Sequence, residues 1–474
     1  MGEVQSVVEI LLAIAGIATL VWVAVIFWRG GLFAGCLAVA FAGYVVGHAF
    51  FNYWVVTVDR ALWAVLIAQF VVCCWHGSLK RNPWGKTEFF LIAWFVWLTI
   101  SVLTHNWQID DSLPLKHLFV FFALPLGLYF VARRTELSEE KVQFLLGAFV
   151  VLGVYLAITA LAETRQWWWL VYPKHIASTE NLEYFGRGRG PLLNASANGI
   201  LLATCLFAGL MFWPRVGPAG KVLVAGYVLV VGVGLFCTYT RSVWLGAAVG
   251  VAVILWFAVP RRIRIPLFAS GLVAVAVLVV VFGHRYVAFK RDVHATAADT
   301  AESVRLRPIL AMVAWKMVQE RPLTGCGFGQ YTRECVHHLG DRDTNLVLEK
   351  ARPYTQHNVV LRLASETGLP GAVMLVVIVA LWGVQCVGIL RNRDGPPWVH
   401  QVALVFLATL AAYLANGMFH DVTQINMMNA HLMLLAGFTA GLRQWARPAI
   451  AEPASAIPEP GSSWHSPSPP VPAR

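Results

Sequence analysis

Charge is scarce in this chain. Asp, Glu, Lys and Arg make up 13% of its 474 residues, about half the share found in soluble globular domains. With 58% hydrophobic residues and repeated apolar runs near 20 residues, this excludes an ordinary soluble fold. It implies an all-α polytopic membrane protein. Acidic residues are the scarcer sign, 25 against 36 Lys and Arg, for a net charge of +11. In a membrane protein that excess reports loops facing anionic lipid, so no nucleic-acid partner is implied. Cysteine is sparse too, with eight residues and no C-x-x-C. Six lie in apolar runs and read as small core side chains. Cys326 and Cys335 lie in a polar stretch, where an oxidising compartment would allow them to pair and a reducing one would leave two thiols. The first apolar segment lacks a basic leader and an A-x-A-like site, so it does not read as a signal peptide.

What is present in abundance is span-length apolar sequence. Candidate spans fall at 5–28, 32–52, 57–76, 88–104, 115–132, 141–162, 195–213, 221–240, 242–259, 264–283, 370–390, 400–417 and 425–442. That makes twelve or thirteen crossings, depending on the first. Basic short loops at 79–86, 132–141, 214–221, 261–264 and 391–395 alternate along the chain and belong inside. The remaining loops then face out, among them 163–194, the turn at Arg241, and a long segment at 284–369. The chain divides into membrane helices at 1–283, the long outer loop at 284–369, further membrane helices at 370–446, and a Pro/Ser-rich tail at 447–474. Such a tail cannot bury a core and is expected to be disordered on the inner side.

The long loop is where the chemistry is expected. Between His284 and Asn358 it carries 11 Lys and Arg, 8 Asp and Glu, and 5 of the chain's 14 histidines. A loop this long escapes the positive-inside rule, so its basic residues invite an anionic ligand. Pro353 disfavours helix before it. The spacing predicts a helix from Gln356 to Thr367, capped by Thr355 and ended by Gly368 and Pro370. His357 would sit on its first turn beside Asn358, where a neutral imidazole can accept a proton from a hydroxyl. Arg241 lies between two apolar runs, either snorkelling to the headgroups or binding an anion. RGRG at 187–190 puts Arg187 and Arg189 among glycines that let a phosphate approach. A thirteen-residue apolar helix is expected from Pro308 to Glu320, too short to span, with Arg305 and Arg307 at its start. Asp341 and Asp343 form a D-x-D, and Asp110 and Asp111 a second acidic pair. Solvated loop charge is the simpler account of both. GCGFG at 325–329 reads as a turn or a phosphate cradle.

These pieces together resemble a known family. His357–Asn358, nine residues, Gly368 and Gly371 look like the H-N-x9-G-x-x-G signature of the O-antigen ligase family. Arg241 with Leu245 resembles its R-x-x-x-L. RGRGPLLNAS resembles its R-x-x-G…N-P-N segment, with Ala195 and Ser196 in place of Pro and Asn, so Arg187 and Arg189 remain alternatives. The stretch from Arg307 to Tyr331 resembles its R-x-x-x-W…P-x-x-G-x-G-x-x-F segment, with Ala311 for Trp and Tyr331 for Phe. This register favours Arg307 over Arg305.

The resemblance implies about twelve membrane helices in a GT-C-like glycosyltransferase fold with an active site facing the periplasm of a bacterial inner membrane. It implies transfer of a glycan from undecaprenyl pyrophosphate to lipid A–core, by an inverting displacement without metal or other cofactor. His357 would be the base. Arg241, Arg307, Asn358 and Arg187 or Arg189 would attend the pyrophosphate. One large loop carrying H-N favours a ligase over an O-antigen polymerase. A short inner tail disfavours a protein O-oligosaccharyltransferase. A secondary transporter would call for inverted repeats, which are not evident. A glycan-binding protein without chemistry is the remaining alternative.

Overall fold

Apolar runs without strand-type alternation fold as helices here, and all regular elements among the described residues are helical. The structure is a computed structural model that describes residues 29–47, 57–79, 82–105, 113–178, 184–271, 273, 297–352 and 354–446. The expected span at 5–28, the Asp110–Asp111 pair, most of 272–296 and the tail at 447–474 lie outside the described residues.

The helices are α1 (Arg29–Val46), α2 (Val58–Trp75), α3 (Lys86–Leu103), α4 (Pro114–Arg134), α5 (Glu139–Thr164), α6 (Ala195–Leu210), α7 (Pro218–Cys237), α8 (Arg241–Ala258) and α9 (261–271). There follow α10 (Ala297–Glu320), α11 (Val359–Arg391), α12 (Pro397–Gly417) and α13 (Asn426–Gly441). Ten of the described helices are long and apolar enough to cross a membrane, as a multi-pass membrane protein requires. Helix α13 is only 16 residues long, and nearly all of it is buried. It packs along α4 at the centre of the bundle.

Local sequence sets the helix ends. Pro114, Pro218 and Pro397 each open a helix at its first position, where the missing N–H costs nothing. Ser138 caps α5 by accepting from Lys141 N at 3.3 Å, ahead of Glu139 and Glu140 in the first turn. Asn194 caps α6, accepting from Ser196 N and Ala197 N at 3.0 Å each. Buried polar groups are paired across helices. His431 on α13 is bonded to Tyr44 Oη of α1 at 2.7 Å and to Thr204 Oγ1 of α6 at 3.0 Å.

Short contacts sort the helix ends into two groups. Arg443 approaches Glu88 at 3.7 Å, and Arg215 approaches Glu139 at 2.8 Å, at the end rich in Lys and Arg. At the opposite end, where Phe328 N donates to Ser101 Oγ in the last turn of α3 at 3.0 Å, α10 and the short helices Tyr331–Glu334 and Val336–Leu339 build a cap. The cap has its own core. Leu306, Ile309, Leu310, Val313 and Met317 form a stripe at helical spacing on α10 and pack with Cys326, Tyr331 and Cys335. Both cysteines are buried free thiols.

Two expected helix starts are corrected. Helix α10 begins at Ala297, with Pro308 inside it. Arg305 and Arg307 therefore lie within the helix, two positions and so roughly half a turn apart. Helix α11 begins at Val359 with Asn358 as its cap, accepting from Leu361 N at 3.0 Å. Asn is a better cap than Thr and stands three residues nearer the apolar run. His357 is thus on the non-helical segment just before the helix rather than on its first turn. The expected break at Gly368 is present. That residue has φ +72° within α11.

Candidate functional site

The site is built around the turn after α12. Asn416 O accepts from Phe419 N and His420 N, both at 2.9 Å, and the chain reverses toward α13. Asp421 fixes the turn from inside, accepting from Thr423 N at 3.2 Å and Thr423 Oγ1 at 2.5 Å. Its other oxygen accepts from Arg362 of α11 at 2.6 Å. Arg362 also faces Glu366 at 3.3 Å. A buried Arg shared by two carboxylates clamps the first turns of α11 to the end of α12.

That clamp assembles the expected residues. Asn358 Nδ2 donates to Met418 O at 3.2 Å, so its amide serves as both helix cap and strut. His357 stands before α11 with its ring centroid 6.2 Å from that of His420. Arg307 of α10 lies over the Phe419 ring at 4.9 Å, a cation–π contact. Burial, followed by the nearby positive charge of Arg241, lowers the pKa of Arg307. Arg241 is the first residue of α8. Arg307 and His357 therefore converge on residues 418–421, with Arg241 near enough to Arg307 to act on it electrostatically. Like charges held this close are a place for an anion.

The RGRG segment separates its two arginines by environment. Arg189 is 1% exposed. Its guanidinium faces Glu163 at 3.6 Å and donates to Ile176 O at 2.8 Å and Ser178 O at 3.2 Å. Glu163 also accepts from Gly190 N at 2.8 Å. Arg189 is a strut inside the loop. Arg187 is half-buried, with its guanidinium 5.3 Å from the Tyr184 ring. Gly188 N donates to Cys237 O at 2.8 Å, which ties this segment to the α7–α8 turn just before Arg241.

GCGFG is a joint between the cap and α11. Cys326 N donates to Ser365 O at 2.9 Å and Gly327 N to Glu366 O at 2.8 Å. Trp97 Nε1 donates to Thr367 O at 2.8 Å. These bonds satisfy carbonyls that the break at Gly368 frees from the helix. Two of its amides are therefore spent on α11 rather than directed at a ligand. The D-x-D is likewise occupied. Lys316 Nζ donates to Asp341 at 2.9 Å and to Asp343 at 2.6 Å. That hydrogen bonding lowers the Asp343 pKa and raises that of Lys316. Among the described residues, no group of three or more His, Cys, Asp or Glu is arranged to hold a metal ion.

An apolar cavity of about 550 Å³ opens beneath the site. Val359 and Val360 of α11, Gly417 of α12 and Met418 just after it stand at its site end, and Trp94, Val249 and Trp382 line it further along. An apolar chamber beside a few convergent polar groups is the usual form of a small-molecule site. Sequence reading missed His420, Asp421 and Arg362. The only available signal was a charged pair, His420–Asp421, between two apolar spans.

Part of the chain is similar in sequence to known proteins. Residues 225–376 match the family model described as O-Antigen ligase. An O-antigen ligase of Salmonella typhimurium is 25% identical over 203 residues, covering 42% of this chain and 49% of that protein. The chain thus aligns with about half the length of this relative. The matched segment begins within α7 and runs through α8, the cap and the first half of α11, so it contains Arg241, Arg307, His357 and the joint at Gly368. Residues 225–376 of the chain are thus similar to the domain that defines the O-antigen ligase family.

Proposed function

We propose that the protein is a lipopolysaccharide O-antigen ligase, a glycosyltransferase of GT-C-like architecture in the bacterial inner membrane. It moves a glycan from undecaprenyl pyrophosphate to lipid A–core on the periplasmic face. The observation that carries this reading is the grouping of Arg307, coupled to Arg241, and His357 about Phe419 and His420, next in the chain to Gly417, Met418 and Val359, which line an apolar cavity. A lipid-linked pyrophosphate needs both features, cations for its head and an apolar chamber for its tail. The acceptor hydroxyl attacks the anomeric carbon in one displacement, with inversion. His357 takes the proton. Arg241, Arg307 and Arg187 bind the pyrophosphate and stabilise charge as it leaves. Asn358 orients His357 by capping the helix that follows it. Asp341 and Asp343 stay outside the reaction, because a divalent ion would have to displace the Lys316 ammonium from between them.

His357→Ala should bind lipid-linked donor normally and lose transfer, as measured with purified enzyme, donor and acceptor. Full transfer by that variant removes the base assignment. Deletion of the gene separates ligase from polymerase by lipopolysaccharide electrophoresis. Loss of a ligase leaves long polymer on its carrier, whereas loss of a polymerase leaves single repeats on lipid A–core.

A further inference from the structure

The turn after α12 holds a titratable group that the mechanism above does not use. His420 is half-buried, next in the chain to Phe419 under Arg307, and across from His357. Its backbone is fixed on both sides, with His420 N donating to Asn416 O and Val422 N donating to His420 O at 3.0 Å.

We propose that His420 carries the proton from His357 to the departing pyrophosphate. This rests on the glycosyl-transfer reading of the site. In that reaction the acceptor O–H bond breaks and a bond forms from its oxygen to the anomeric carbon. The bond from that carbon to the phosphate oxygen breaks, and its electron pair stays on the oxygen. Nothing is oxidised or reduced. The net result moves one proton from the acceptor hydroxyl to the pyrophosphate, so His357 must discharge before it can act again. The centroid separation of 6.2 Å at an interplanar angle of 56° is too long for direct nitrogen–nitrogen bonding and suits one bridging water. On its other side His420 adjoins the Phe419–Arg307 pair, where the leaving group is held. The charged groups around this turn are Arg307 of α10, over Phe419, and Arg362 of α11, on Asp421, with Arg241 of α8 near Arg307. The Asp421 carboxylate next in the chain is engaged by Arg362 and Thr423.

The test uses full-length enzyme with undecaprenyl-pyrophosphate-linked glycan and lipid A–core. His420→Gln and His420→Ala should fold with the wild-type melting temperature, since the ring is only half-buried. Both should lose ten-fold or more in kcat, with KM for donor within two-fold of wild type. Added imidazole should restore kcat in His420→Ala. Wild-type kcat in His420→Gln overturns the shuttle. Weakened donor binding as the main effect, or a loss that imidazole does not restore, also overturns it. His357→Ala run alongside separates the two ideas. If His357→Ala is inactive while His420→Gln is normal, only the shuttle fails. If His357→Ala is itself fully active, the underlying base reading fails.

Discussion

Arginine at 241 and 307 is a choice of geometry as well as of charge. The charge of Arg241 acts on Arg307, and a pyrophosphate offers several oxygens to bridge the two guanidiniums. Arginine keeps its charge in a region of low dielectric and binds two oxygens at once, whereas lysine gives a point contact. If Arg241 only reached for headgroups, lysine would serve as well. Arg241→Lys is therefore expected to express and fold normally while transferring glycan about ten-fold less well, on the order of 1.4 kcal/mol. Steady-state transfer by that variant at the wild-type rate would return Arg241 to an anchoring role. The two arginines of RGRG should behave differently from each other. Removing Arg189 strands the buried Glu163 carboxylate, a loss of about 3–5 kcal/mol for a broken buried pair. Arg189→Ala should lower the melting temperature sharply. Arg187→Ala should leave it unchanged and weaken donor binding. Equal melting temperatures for the two variants would contradict this assignment.

At the scale of elements, the decisive feature is the break in α11. Gly368 has φ +72°, and a Cβ built there would lie 2.2 Å from Leu323 O. With ψ at 175° this is a region that essentially only glycine occupies, and an L-residue there costs roughly 1–3 kcal/mol before any clash is counted. Gly368→Ala should thus loosen the joint between the cap and α11. The expected outcome is a lower melting temperature and faster limited proteolysis in the 321–329 segment. Unchanged proteolysis would show that the joint does not hold the cap. The break itself was legible from Gly368 and Pro370, because helix punctuation is local. The partners of the freed carbonyls were not legible, since Cys326 and Gly327 stand about 40 residues upstream. The start of α10 was misplaced for a related reason. A proline reads locally as a first helical position, yet in α10 it is accommodated as the twelfth residue.

For the whole molecule, the distribution of charge predicts orientation. Lys86, Lys141, Arg215, Lys221, Arg391 and Arg443 gather at the end opposite the cap. The positive-inside rule then puts the cap outside. A cysteine placed at the exposed Asn345 should react with an impermeant thiol reagent in intact cells, and one at the exposed Asp394 only after permeabilisation. The reverse pattern would remove the periplasmic site altogether.

Sequence alone determined the helical membrane class, the alternation of basic loops, the break at Gly368 and the candidates Arg241, Arg307 and His357. Those properties are local, because each follows from hydropathy over one span or from a short motif. Tertiary structure decided which of them meet. It distinguished Arg187 from Arg189 by burying one against Glu163. It filled the D-x-D with Lys316 and spent GCGFG amides on α11. It also brought His420 and the Arg362–Asp421 clamp to the site. Whether a charge binds a ligand or braces the fold depends on neighbours distant in sequence. Only the packed bundle supplies those neighbours.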